Sequence, residues 1–309
     1  MRIKHTGKIA DNFYALGNQA VPVYLLDGQM PVLFEAGFTS LALLYEKEIK
    51  EILGNRSPCY LFLTHSHFDH IGAAHYLKTV WPEMKIAGSS KIGEVLARPN
   101  ALKLIIQLNK EAIQAAQSWG VTSVYEKPFS PFDLDFNVSS GQVIDLGENS
   151  SVKVIYTPGH TWDCMSYWMP KQKILIAGEA VGCDDGTGDI VTEFLVDYDQ
   201  YRKSLKKLDQ LDAEILCPGH QIILTGLDSR DYTRSSLRQA ADFVSMVEGF
   251  LRSEQGNLNH VVSRVKVWQW DPKPLPKQPE PAYLLSTQTR VKKIWERMQK
   301  KGREDKRTP

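Results

Sequence analysis

The segment Thr64-His-Ser-His-Phe-Asp-His70 sets three imidazoles and one carboxylate within six positions, directly after the apolar run Cys59–Leu63. Crowding such groups at the end of a buried strand is unfavourable unless a cation holds them together, and neutral imidazole and carboxylate are donors that zinc and iron accept. A chance match to H-x-H-x-D-H in this composition is on the order of a few in ten thousand. Three further candidate ligands each close a β-run by a short connection: Val152-Lys-Val-Ile-Tyr-Thr-Pro-Gly-His160, Ile174-Leu-Ile-Ala-Gly-Glu179 and Glu214-Ile-Leu-Cys-Pro-Gly-His220. Strand ends of packed sheets can converge on one edge. Gly159, Gly178 and Gly219, each one residue before its ligand, are predicted to let the backbone turn sharply there.

The rest of the chain supplies strands and helices in alternation, which indicates α/β layering. Val21–Leu26 and Pro31–Ala36 flank Asp27-Gly28-Gln29-Met30 as a hairpin. Leu41–Leu53 repeats its apolar residues at helical spacing and stops at Gly54. Ile71–Val80 reads as helix, and Lys85–Ala87 as strand. Residues 91–120 read as a helical insert whose stripe Ala101, Ile105, Leu108 and Ala112 is a packed face. Later strands fall at Val152–Tyr156, Met165–Met169, Ile174–Ala177 and Glu214–Cys217, with a helix at Gln200–Leu211. From Ser229 the pattern is helical, with Leu237, Ala241, Val244, Val247 and Leu251 on one face. The expected division is therefore 1–228 for the catalytic domain and 229–309 for a helical extension. A stiff proline-rich linker over 271–281 then leads to a last helix, Tyr283–Lys300, and a charged, frayed tail.

Length and composition bound the partners. With 309 residues, 42% of them hydrophobic, the chain can bury a full core unaided. A formal net charge of +1 gives no global attraction to nucleic acid or anionic membrane. Cys59, Cys164, Cys183 and Cys217 are widely spaced without a C-x-x-C pair and are read as reduced thiols. The start Met1-Arg-Ile-Lys-His lacks the apolar core of a signal peptide, and no run reaches about 18 apolar residues. The expectation is a cytoplasmic protein acting on a small molecule, with no nucleic-acid or membrane partner and with a homodimer left open. Gly182-Cys-Asp-Asp-Gly-Thr-Gly188 has neither G-x-G-x-x-G nor Walker spacing and is read as a flexible loop at the site mouth. Thr161 and Asp163 are expected to hydrogen-bond to ligands, whereas His5, His75 and His260 lie outside every motif.

The ordered set H-x-H-x-D-H, Pro-Gly-His160, Ala-Gly-Glu179 and Pro-Gly-His220 resembles the motifs of the metallo-β-lactamase superfamily over roughly residues 8–225. The helical insert and helical C-terminal extension resemble the subgroup containing the quinolone-signal response protein PqsE. The resemblance implies an αββα four-layer sandwich holding two divalent metal ions, zinc or iron, with manganese also open. It assigns His65, His67 and His160 to one metal, and Asp69, His70 and His220 to the second. Glu179 falls at the bridging position, where the family usually has aspartate; its extra methylene moves the carboxylate outward by about 1.5 Å. The expected chemistry is hydrolysis by a metal-bound hydroxide, since a metal lowers the pKa of water from ~16 toward ~7. Asp69 is then the catalytic residue that orients the nucleophile and receives its proton. Esters or thioesters are the leading substrates and phosphodiesters the second class. Two alternatives are a mononuclear non-haem iron persulfide dioxygenase and a regulatory protein that binds partners through its C-terminal helices.

Overall fold

Val21–Leu26 is buried at all of its positions, the pattern of a strand covered on both faces. It sits inside a seven-stranded sheet whose order follows the chain: Gly7–Ala10, Phe13–Asn18, Val21–Leu26, Val32–Phe34, Tyr60–Phe62, Lys85–Gly88 and Phe136–Asn137. The expected hairpin pairs Leu26 with Val32 and Tyr24 with Phe34 in antiparallel register. From Val32–Phe34 onward the strands run parallel, so Tyr60–Phe62 delivers the histidine segment to the carboxyl edge of the sheet, where loops of parallel strands gather. A second seven-stranded sheet has the order Arg2–Ile3, Ile223–Thr225, Ile215–Pro218, Ile174–Gly178, Met165–Met169, Ser150–Tyr156 and Val143–Gly147. Its one parallel pair joins Ile174–Gly178 to Ile215–Pro218, so the runs leading to Glu179 and His220 end at the same edge.

The computed structural model describes residues 1–274 and 277–304. Within them the chain divides into one unit of Met1–Tyr156, Asp163–Gly178 and Asp212–Ser229, and a second of Thr157–Trp162, Glu179–Leu211 and residues from Arg230 onward. The first unit contains both large sheets. Phe34, Phe62 and Tyr167 meet between them, with ring centroids 5.7 Å apart for Phe34–Phe62 and 5.1 Å for Phe62–Tyr167. Each such ring contributes about 1.5–3 kcal/mol by leaving water. On the other face of the first sheet, Tyr45, Ile49 and Leu53 of the helix Ala42–Leu53 enter a core with Ile105, Ala112 and Ala116.

Two helical expectations are corrected. The run Ile71–Val80 is broken into Phe68–Ile71 and Ala74–Val80, because Gly72 N donates to Gly37 O and Ala73 N to Ala36 O, at 2.8 and 3.0 Å, instead of continuing one helix. The insert is two helices, Ser90–Leu96 and Pro99–Ser118; Pro99 cannot continue the first but suits the opening turn of the second. The buried stripe of that second helix is Ile105, Asn109, Ala112 and Ala116, one face of a packed helix as expected, but with a polar member.

The second unit is mainly helical: Tyr198–Leu208, capped by the Asp197 carboxylate on Gln200 N, then most of Leu227–Ser253, Leu258–Gln269 and Glu280–Glu304. Glu280 and Pro281, expected in the linker, belong to the first turn of the last helix, where proline is tolerated. Leu275 and Pro276 of that linker and the tail from residue 305 lie outside the described residues. Among the described residues, no helix is long and apolar enough to cross a membrane.

Candidate metal centre

The strand Tyr60–Phe62 runs out at Leu63, and two hydrogen bonds from the second sheet fix the next residues. Tyr167 Oη donates to Leu63 O at 2.7 Å and Met165 N to Thr64 O at 2.8 Å. Burial and the nearby Glu35 carboxylate push the Tyr167 hydroxyl well above its ordinary range, so it stays a donor. The three histidines of the motif then gather: the His65 ring centroid is 4.5 Å from His67 and 4.4 Å from His70, and His70 is 5.3 Å from His220. Ligand atoms of Asp69, His70 and His220 all lie within 4.8 Å of one another, with His220 Nε2 3.8 Å from Asp69 Oδ2. Two donors on one zinc, at bonds of about 2.0–2.2 Å and tetrahedral angles, stand roughly 3.4 Å apart. At 3.8 Å for one pair and no more than 4.8 Å for any, the group can close on a divalent cation through small side-chain adjustments.

The tautomers follow from the acceptors around the rings. Thr64 Oγ1 has one proton, which it gives to Glu35 Oε1 at 2.5 Å. Its contact with His65 Nδ1 at 2.9 Å must then be accepted from the ring, which leaves the His65 lone pair on Nε2. His70 Nδ1 stands 3.2 Å from the same Glu35 oxygen, and His220 Nδ1 2.9 Å from Ala20 O. In the second unit, His160 Nδ1 is 2.6 Å from Glu193 O. Carbonyl oxygens only accept, so the rings of His65, His160 and His220 carry hydrogen on Nδ1 and keep the lone pair on Nε2, an arrangement that suits a metal-binding imidazole.

Glu35 was not singled out by the sequence. It is 1% exposed and left-handed, φ +68°, an unusual conformation for a residue with a side chain. The usable signal was an acidic residue closing an apolar run, since carboxylates are almost never fully buried unless paired. Asn109 was missed as well. From the middle of its helix it accepts from Thr39 N at 3.1 Å and donates to Phe68 O at 3.3 Å, steadying the histidine segment.

The glycine expectation holds at two ligands. Gly178 has φ +53°, and a Cβ there would stand 3.0 Å from Thr64 Oγ1; Gly159 has φ +134°, and a Cβ there would fall 2.4 Å from the Tyr201 backbone. At the third ligand the left-handed residue is Gln221, φ +64°, just after His220. Glu179 opens a short 3-10 turn, Glu179–Val181, and one of its carboxylate oxygens lies within 4.8 Å of Cys183 Sγ, a thiol given no site role by its spacing. Cys217 is buried, and burial pushes its thiol well up, so it is an inert core residue; Cys164 is also buried.

Thr161 shapes the His160 turn by accepting from Gly159 N at 3.2 Å. Asp163 is 3% exposed, and its Oδ2 takes no hydrogen bond among the described residues. His5, His75 and His260 are exposed. The glycine-rich stretch after Glu179 is corrected from a loose loop to a hairpin, Cys183–Asp184 against Ile190–Val191. Its turn is held by Lys273, which pairs with Asp185 at 2.7 Å and with Asp189.

The sequence model of the metallo-beta-lactamase superfamily matches residues 16–220. The chain is 23% identical over 219 residues to the atrochrysone carboxyl ACP thioesterase of Aspergillus fumigatus, covering 71% of this chain and 53% of that one. It is 27% identical over 169 residues to the hydroxyacylglutathione hydrolase of Francisella tularensis subsp. novicida, covering 54% of this chain and 51% of that one. The chain thus spans about half the length of these curated relatives. Among solved structures, an archaeal metallo-beta-lactamase superfamily protein from Sulfolobus tokodaii aligns with a TM-score of 0.58 at 19% identity, covering 93% of this chain and 100% of that one. The two-sheet architecture is the fold the chain shares with that archaeal protein.

Proposed function

This chain belongs to the metallo-beta-lactamase superfamily, and on that footing we propose that it is a metal-dependent hydrolase of thioesters or related esters. The observation that carries the proposal is the common orientation of three imidazoles, His65, His160 and His220, each held through Nδ1 by a built-in oxygen acceptor, with His70 Nδ1 3.2 Å from the Glu35 carboxylate. Histidines packed for stability alone have no need to present the same nitrogen three times. In this proposal His65, His67 and His160 hold one divalent metal ion, Asp69, His70 and His220 hold a second, and Glu179 contributes its carboxylate to either or both. Zinc, iron and manganese all suit these nitrogen and oxygen donors.

When bound, such ions supply Lewis acidity, lowering the pKa of water and polarising a substrate carbonyl. The chain's own residues do the rest. Asp69, with its side chain 14% exposed, orients water and takes up a proton on a carboxylate oxygen. Glu35 and Thr64 keep His65 and His70 from rotating, so the donors are arranged before substrate arrives. Thioesters lead because a thioesterase and a hydroxyacylglutathione hydrolase are among the relatives; phosphodiesters are the second class. The grouping of Asp69 with His70 and His220 supports two-metal hydrolysis over a mononuclear iron dioxygenase.

The test uses the full chain loaded separately with zinc, iron or manganese and assayed on a thioester, a lactone and a phosphodiester. Thioester or ester turnover that disappears, together with bound metal, in the double variant His65→Ala/His67→Ala supports the proposal. Full turnover by that variant in metal-free form refutes it.

A further inference from the structure

Arg290, in the last helix, is completely buried, 0% exposed, and none of the described carboxylates pairs with it. A guanidinium kept away from water without a counter-ion needs a reason, because desolvating a charge is unfavourable by several kcal/mol. Its partners are neutral: Nη1 donates to Thr192 O at 3.3 Å, and Nη2 donates to Gln269 Oε1 at 3.3 Å and Thr287 Oγ1 at 3.0 Å. The guanidinium carbon lies 4.4 Å from the centroid of the Phe243 ring.

The carbonyl next along the chain from Thr192 O is Glu193 O, the acceptor for His160 Nδ1 at 2.6 Å. The same short segment is tied at its start by Ile190 N, which donates to Gln239 Oε1 at 2.8 Å. Phe194, fully buried at its end, lies 6.0 Å from Phe243 between ring centroids. Residues 190–194 are thus anchored by side chains of two C-terminal helices, the one carrying Gln239 and Phe243 and the one carrying Arg290, while Gln269 of a third helix holds Arg290 itself.

We propose that Arg290 is a positioning residue for the metal centre: by holding the Thr192 carbonyl it fixes the neighbouring Glu193 carbonyl, which sets the tautomer and ring orientation of His160. The inference rests on His160 being a metal ligand, as proposed above. It gives the C-terminal helices a part in metal binding. The planar fork matters here, because it reaches Thr192 on one nitrogen and Gln269 and Thr287 on the other.

The test compares Arg290→Met, Arg290→Lys, His160→Ala and the control Arg297→Met in the full-length chain. Arg297 joins the same helix to Asp199 and Glu248, so its loss loosens the helix without touching Thr192. Zinc affinity is read by chelator competition, and the His160 Nδ1 proton by NMR of the metal-free protein. Arg290→Met is expected to weaken zinc binding about tenfold or more and to shift or broaden the His160 Nδ1 proton, while Arg297→Met changes neither. Arg290→Lys is expected to fall between parent and Arg290→Met. Should Arg290→Met not fold, Arg290→Lys is read in its place, with the same two signals expected to move.

Parent-like zinc affinity and an unmoved His160 proton in a folded Arg290 variant would overturn the inference, as would equal losses in Arg297→Met. If His160→Ala itself keeps full zinc affinity, the ligand assignment fails instead.

Discussion

Replacing Glu35 by glutamine keeps its shape and removes its charge. The carboxylate is 1% exposed and serves two groups through Oε1, the Thr64 hydroxyl at 2.5 Å and His70 Nδ1 at 3.2 Å, while Oε2 faces Thr64 N at 3.4 Å. A glutamine can place its oxygen at the first position, but its NH2 then meets the Thr64 N–H, donor against donor. Losing charge assistance at two contacts weakens each by about 1 kcal/mol, so Glu35→Gln is expected to destabilise the metal-free protein by about 2–3 kcal/mol. Because His70 also loses its hold, zinc affinity should fall about 10–100-fold, the usual effect of removing a partner behind a ligating histidine. Chemical unfolding of the stripped protein measures the first quantity and chelator competition the second, with the exposed Glu148→Gln as control. A folded Glu35→Gln protein that binds zinc within twofold of the parent would show that Glu35 does not organise the ligands.

Three other changes follow from the same geometry. Gly159→Ala puts a Cβ 2.4 Å from the Tyr201 backbone at φ +134°; it is expected to destabilise by about 2 kcal/mol or more and to lower metal content, and parent-like thermal stability would contradict this. Glu179→Ala should lower bound metal, measured by elemental analysis, far more than Glu148→Ala, and equal contents would remove Glu179 from the ligand set. Lys273→Met should destabilise by about 1–2 kcal/mol, since both Lys273 and Asp185 are mostly buried, and the pH dependence has a definite sign. Burial alone would raise the Asp185 carboxyl, but Lys273 and Thr187 hold it below the usual range; its contribution is present above the unfolded value and lost as acid carries the pH through the folded one. Burial alone would lower the Lys273 ammonium, but Asp185 and Asp189 hold it above its usual range, so its contribution is lost as alkali carries the pH through the folded value. Parent and variant should therefore differ steadily between about pH 5 and 10 and converge outside it; a difference independent of pH would refute the ion-pair account.

The ligand histidines were legible because H-x-H-x-D-H is local, and because His160 and His220 each follow a β-run and a Pro-Gly pair. What holds them in place was not. Glu35 closes an apolar run 30 residues before His65, Asn109 resembles any polar residue on a helix, and the acceptors Ala20 O and Glu193 O are backbone atoms with no sequence signature. Arg290 lies in a helix whose sequence reads as amphipathic and charged, where a solvated face is the ordinary expectation; its burial is a tertiary fact. Element boundaries failed where tertiary hydrogen bonds overrode local pattern. Gly72 and Ala73 bond to residues 36 and 37 in preference to their own helix, and the glycine-rich turn before Ile190 is set by a lysine 84 residues further on. The α/β layering was legible because the apolar runs were of strand length and bounded by turns, with Val21–Leu26 and Met165–Met169 buried throughout, whereas the two-sheet sandwich came only through the family resemblance.

The most direct test is metal-resolved elemental analysis of the purified full chain at known concentration, in parent and in His65→Ala/His67→Ala. Close to two transition-metal ions per parent chain, falling to one or fewer in the double variant, is the predicted result. A parent chain with no stoichiometric metal after loading with zinc, iron or manganese, or a double variant that keeps the parent's full content, would contradict a ligand set built on these imidazoles.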